Sequence, residues 1–131
     1  MPITFKKQIK TFMEKFTRKE LEAIDDILKA RTLIVRRNSA KIDKMRKAYE
    51  QFKKYIKQEE NRLIKQDVEI LIMHIERYKV YMEVLVKKKS KFLPYSEPDV
   101  KMYQGKADYM QKLITRLEEL ISELQSIKIK N

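Results

Sequence analysis

From Leu21 to Ile56 the chain repeats a stripe at alternating spacings of three and four: Leu21, Ile24, Leu28, Arg31, Val35, Asn38, Ile42, Met45, Tyr49, Phe52 and Ile56. No Gly or Pro interrupts it. Such spacing places one face of a helix against a partner. It predicts a single helix from Thr17 to Ile56, roughly 60 Å long at 1.5 Å per residue. A rod of that length cannot bury its stripe alone, so the other segments must pack along it. Two polar residues interrupt the stripe. Arg31 and Asn38 are read either as buried register-fixing residues or as an outward-snorkelling arginine and a kink beside Ser39, with a full break at Asn38 left open.

The start of the rod is marked by Thr17 and Glu20, spaced as a capping box, with Phe16 and Leu21 as its hydrophobic staple. Upstream, Phe5, Ile9, Phe12, Met13 and Phe16 predict a short amphipathic helix over 3–16 that caps one end of the core or docks on a neighbouring subunit. The stripe changes phase around 57–62, where a reversal near Gln58 to Asn61 sends the next helix back antiparallel. Its seam runs Ile64, Val68, Leu71, Ile75, Tyr78, Met82 and Leu85. With Ile70, Ile72, Met73, Val80, Val84 and Val86 added, it should be the most buried element. Pro94 breaks the chain in the loop from Phe92 to Glu97. Ser96 and Asp99 then read as a second capping box with Tyr95 and Val100 as its staple. The last helix carries Val100, Tyr103, Ala107, Met110, Ile114, Leu117, Ile121 and Leu124 on its seam. Gly105 inside it suggests a close approach of the preceding loop. The fold class expected is all-α: one domain over 1–131, an elongated four-helix bundle of coiled-coil-like stripes, with a short N-terminal helix plus three long antiparallel helices.

Composition narrows the chemistry. No strand alternation persists, and without cysteine there is no disulfide, thiol nucleophile or thiolate metal site. Nothing reads as a signal peptide or as a transmembrane segment. His74 is the single histidine and lies beside the seam, so no histidine cluster binds a metal. The adjacent pairs Asp25–Asp26, Glu59–Glu60 and Glu118–Glu119 diverge around their helices rather than converging. No glycine-rich phosphate loop is present. The chain is expected not to be an enzyme and to carry no cofactor. On sequence alone nothing near His74 can cooperate with it, so its replacement should leave function intact. Of the seven tyrosines, most are expected in the core rather than on a base-stacking surface.

Charge changes the picture more. The 31 Lys and Arg against 19 Asp and Glu leave a net +12, which favours polyanionic partners: nucleic acid, an acidic protein surface or anionic lipid. Lysine far outnumbers arginine, which suits phosphate attraction rather than base reading. The candidate binding residues are Arg36, Arg37, Lys41, Lys44, Arg46 and Lys47, six bases with Asp43 as their only acidic neighbour, together with Lys87, Lys88, Lys89 and Lys91. Arg37, Lys41 and Lys44 are spaced to share one face. In a continuous hairpin the lysine run would lie alongside residues 27–31. A solvated charged face is the plain alternative. The Lys, Glu and Ile usage also fits a thermophilic source, as would a genome of skewed base composition.

These features together carry a resemblance: 131 residues, no Cys, a long lysine-rich helix from Thr17, a hairpin partner ending at Lys91 and a capped last helix from Ser96. In size, composition and layout, over its whole length, the chain resembles the small helical virion proteins of the two-tailed archaeal viruses. Their relatives include an inhibitor that occupies the DNA-binding channel of host RNA polymerase. The resemblance implies a non-enzymatic structural protein, found in the virion and in the host cytoplasm before assembly. It would meet nucleic acid through its basic face and self-associate, or alternatively dock in the host RNA polymerase channel. No short motif carries the likeness, so no functional residue is transferred.

Overall fold

The computed structural model describes residues 16–57 and 63–130, with side chains to residue 125. The fold is all-α. Four helices pack as a bundle: α1 (Arg18–Ile34), α2 (Ser39–Ile56), α3 (Lys65–Ser90) and α4 (Glu97–Lys130). No strand occurs among the described residues. The short helix expected over 3–16, apart from Phe16, and the reversal near 58–61 lie outside the described residues.

The expected 60 Å rod is broken. Val35 ends α1, its N–H bonding back to the Arg31 carbonyl, and Asn38 N–H bonds to the Val35 carbonyl at 2.8 Å. Asn38 then caps α2, its side-chain oxygen accepting the Lys41 N–H at 3.1 Å. The stripe therefore folds back on itself. Phe16 meets Phe52 edge-on at 5.4 Å, and the residues flanking Leu28 and Thr32 on α1 border a groove with Met45 and Arg46 on α2. The break solves the rod's problem because both halves of the stripe can then lie against α3. The physical signal for the break was the capping residue itself: Asn–Ser opens a helix as readily as it kinks one.

The Thr17 capping box forms as expected. The Glu20 N–H donates to Thr17 Oγ1 at 3.2 Å, and the Thr17 N–H donates to Glu20 Oε1 at 3.1 Å. Glu20 does more than cap. It is buried, and its Oε1 also accepts from Arg116 of α4 at 2.5 Å, which pins the start of α1 to the second hairpin. The second capping box does not form. Ser96 Oγ instead donates to the Lys89 carbonyl, tying the loop to the end of α3, and Tyr95 is 94% exposed rather than a staple.

Helices α3 and α4 run antiparallel, with Lys79 donating to Gln111 and Lys89 facing Asp99. The core lies between the hairpins: Ile24, Ile27, Leu28, Met45, Ala48, Phe52 and Ile56 meet Val68, Leu71, Ile75, Leu113, Ile114, Leu117 and Leu120. Helix α3, expected from its composition to be the most buried element, is not; Val80, Tyr81 and Val84 are exposed. The reason is the break. At 17 and 18 residues, α1 and α2 are too short to cover all of a 26-residue and a 34-residue partner. Gly105 does not serve a close approach either, since a Cβ there would meet nothing within 4 Å.

Two stability outcomes follow from this packing. Gly105→Ala should stabilise the fold by about 0.5–1 kcal/mol, the helix-propensity gain in open space, read as a raised urea midpoint. Glu20→Ala removes both the cap partner and the carboxylate held by Arg116, and should cost about 3 kcal/mol. Glu22→Ala is the control: its carboxylate pairs with Arg18 on the exposed surface, and its loss should cost under about 0.5 kcal/mol.

Candidate polyanion interface

The turn between α1 and α2 gathers one group of candidate bases. Arg36 and Arg37 sit in the turn itself and are exposed, and Lys44, Arg46 and Lys47 project from α2 into solvent. Their register explains this, since Met45, Ala48 and Phe52 take the buried face of α2. Lys41 lies one turn before Met45 and so falls toward the buried side, where it is half-buried. It does not share the open face of Lys44 as its spacing suggested. The first turn of α2 carries no acid, in contrast to Glu20 in α1 and Asp67 in α3.

The second group closes α3. Lys87, Lys88 and Lys91 are exposed, and Lys89 is half-buried at 3.8 Å from Asp99. These lysines do not lie alongside residues 27–31. The contact between Arg31 and His74 fixes the end of α1 at the middle of α3, so the run begins thirteen residues further on, roughly 20 Å along the axis. The two basic groups are separate stations, an arrangement that the continuous-rod geometry could not give.

Ion pairing divides the surface bases, and Lys19, Arg77, Lys106 and Lys112 share the unpaired state of most candidates among the described residues. Arg18, Lys29, Lys65 and Lys101 each pair with an acid one helical turn away. Among the described residues, Lys89 alone of the ten candidates forms an ion pair. The sequence does not foretell this, because Asp43 stands four residues before Lys47 and Glu50 four after Arg46, and neither pair closes.

Sequence reasoning missed one constellation. Arg31 does not snorkel outward; it is 6% exposed, and its Nε–H donates to His74 Nδ1 at 3.3 Å. His74 is fully buried. Since Nδ1 accepts, Nε2 carries the proton, and that N–H is buried without an acceptor. Burial and then the charges of Arg31, Lys41 and Arg77 push the imidazole down to about 4. Burial, and the charge of Arg77, likewise lower Arg31. The expectation that nothing cooperates with His74 fails because its partner is 43 residues away in sequence.

Several grooves mark the described surface, three of them of about 320 Å³ or more. The largest, about 550 Å³, runs between α1 and α4 past Ala23, Ile27, Met102, Gly105 and Met110. Another of about 430 Å³ separates α1 from α2 near Leu21, Tyr49 and Ile56. The third, about 320 Å³, is the groove at Leu28 and Met45. Beside it Lys53 sits 4.7 Å above the Tyr49 ring, and burial and Asp25 raise the Tyr49 hydroxyl well above its usual range. Among the described residues no group of His, Asp and Glu could hold a metal ion, and no helix is long and apolar enough to cross a membrane. No protein-family model, curated protein or solved structure matches the chain. The functional reading therefore rests on geometry and charge.

The His74 environment sets a pH dependence. In the folded chain the imidazole stays neutral down to about pH 4, whereas unfolded it takes its proton near 6.5. Between those values the unfolded state binds the extra proton, so stability falls as pH drops through that window and levels off below it. The contribution is of order 3 kcal/mol in total. His74→Gln should remove it. The difference between parent and variant in urea-derived stability, followed from pH 7 to 4, measures it directly, and a flat difference would mean a solvated imidazole.

Proposed function

We propose that this chain is a non-enzymatic structural protein of the virion type that its sequence resembles, and that it engages nucleic acid through the phosphates, without reading sequence. The observation that carries this reading is the clustering of exposed basic residues at the α1–α2 turn and at the end of α3, all but Lys89 without an ion pair among the described residues. Exposed bases elsewhere among the described residues, such as Lys19, Arg77, Lys106 and Lys112, also stand unpaired, but singly; here they are gathered at two places. Unpaired bases of one sign keep their attraction available to a polyanion and release its counterions on contact. The preponderance of lysine fits contacts that position without specifying.

A second reading is favoured by a different observation. Leu33, Ile34, Val80, Tyr81, Phe92, Leu93 and Tyr95 are all exposed. Apolar side chains among unpaired bases suit an acidic protein surface or a further copy of the chain. The DNA-binding channel of host RNA polymerase is the partner that the resemblance suggests for this reading.

Titration of duplex DNA at several salt concentrations decides between them. Engagement of about four phosphates gives a slope of about −3.6 in log affinity against log salt, the same for unrelated sequences. Lys44→Glu with Lys47→Glu should flatten that slope by about two contacts' worth and leave helicity unchanged, since both project into solvent. A flat salt response in the parent, accompanied by a stable complex with polymerase, would assign the charge to a protein partner instead. Light scattering of the same samples reports self-association.

A further inference from the structure

Among the described residues two charged side chains are deeply buried, and they are treated differently. Glu20 is paired with Arg116 and with the Thr17 backbone. Arg31 has no acid partner. Its Nε–H is spent on a neutral imidazole, and its two terminal amino groups have no acceptor among the described residues. Arginine cannot shed its proton, and the terminal amino groups of Arg31 are not among the fully buried unsatisfied atoms, so an anion can reach them from solvent. The charges around it are of its own sign. Lys41 approaches from the first turn of α2, Arg77 from the turn of α3 beyond His74, and no carboxylate acts on either Arg31 or His74. Arg77 is exposed and Lys41 half-exposed, so the cluster opens to solvent on their side.

We infer that Arg31, Arg77 and Lys41, grouped around His74, form a binding site for a tetrahedral oxyanion, a phosphate group. The free edge of the Arg31 guanidinium offers two parallel N–H donors, a fork that matches two oxygens of one phosphate. Arg77 offers a second such fork, and Lys41 adds a point charge. Three cations about one position suit a doubly charged phosphate better than a single carboxylate. The site needs one phosphate rather than a polymer, so it does not rest on the nucleic-acid reading above. The bases that carry that reading, Lys44, Arg46 and Lys47, lie outside it.

His74 reports on the site because it is the only histidine, giving one imidazole signal in a proton–nitrogen NMR spectrum. Inorganic phosphate, titrated against chloride at constant ionic strength, should shift that signal saturably and raise the His74 pKa by about one unit, since a neighbouring anion favours the imidazolium. Arg77→Gln, a surface change, should weaken the effect about tenfold. Arg31→Met, which keeps the buried volume, should abolish it while circular dichroism stays unchanged. A short duplex DNA provides the second arm. A response to phosphate alone assigns a free phosphate ion, a response to DNA alone assigns a backbone phosphodiester, and a response to both assigns the shared group. No saturable shift with either, an equal shift with acetate, or a shift that Arg77→Gln leaves intact overturns the inference. DNA binding that persists through Lys44 and Lys47 in those cases leaves the preceding reading standing.

Discussion

Everything in this fold follows from the chain reversing at Val35–Asn38. An amphipathic helix with one continuous stripe has no stable solution by itself, and halving it lets both halves lay their apolar faces against α3. The reversal uses only backbone hydrogen bonds and one side-chain cap: the Arg31 carbonyl, the Val35 carbonyl and the Asn38 amide oxygen. It also sets the proportions of the bundle. The short first hairpin packs on a longer second one, and the second half of α3 is left with Val80, Tyr81 and Val84 in solvent.

The reversal also decides where charge collects. By ending α1 beside the middle of α3, it buries Arg31 against His74 and brings the first turn of α2 to the same place. Positive charge near the end of α1 is favoured by that helix's dipole, while positive charge at the start of α2 is opposed by its own. The α1–α2 turn is therefore electrostatically expensive among its neighbours. It remains folded because the hydrophobic faces below it, centred on Ile24, Ala48, Phe52, Leu71 and Ile75, are fully buried. Stability at one level holds an unpaired cluster of cations at another, a form of stored potential common to sites that take anions.

The buried polar residues divide along the same line. Glu20 belongs to the architecture, since it caps α1 and is held by Arg116. Arg31 and His74 contribute little that an apolar pair would not do better, because the His74 Nε2–H is buried without an acceptor and Arg31 has no acid beside it. Their placement is easier to understand as chemistry than as packing.

Much of this was legible in the residues. Helix type, the Thr17–Glu20 cap, the core faces of α2 and α4 and the all-α bundle follow from spacing and capping chemistry, which are local and act over three or four residues. The exposure of Arg36, Arg37, Lys44, Arg46 and Lys47 follows from the same period. Three things were not legible. The stripe keeps its phase through Val35 and Asn38, so periodicity could not tell a rod from a hairpin. Ser96 Oγ could accept from the N–H groups of its own helix or donate to the Lys89 carbonyl, and only the loop's path chose the second. The pairing of Arg31 with His74 joins residues 43 apart, and no local rule encodes such a distance. Sequence by itself determined which faces are apolar and where helices begin, because those depend on neighbouring residues. Tertiary structure alone decided which charges meet, because that depends on how the hairpins dock.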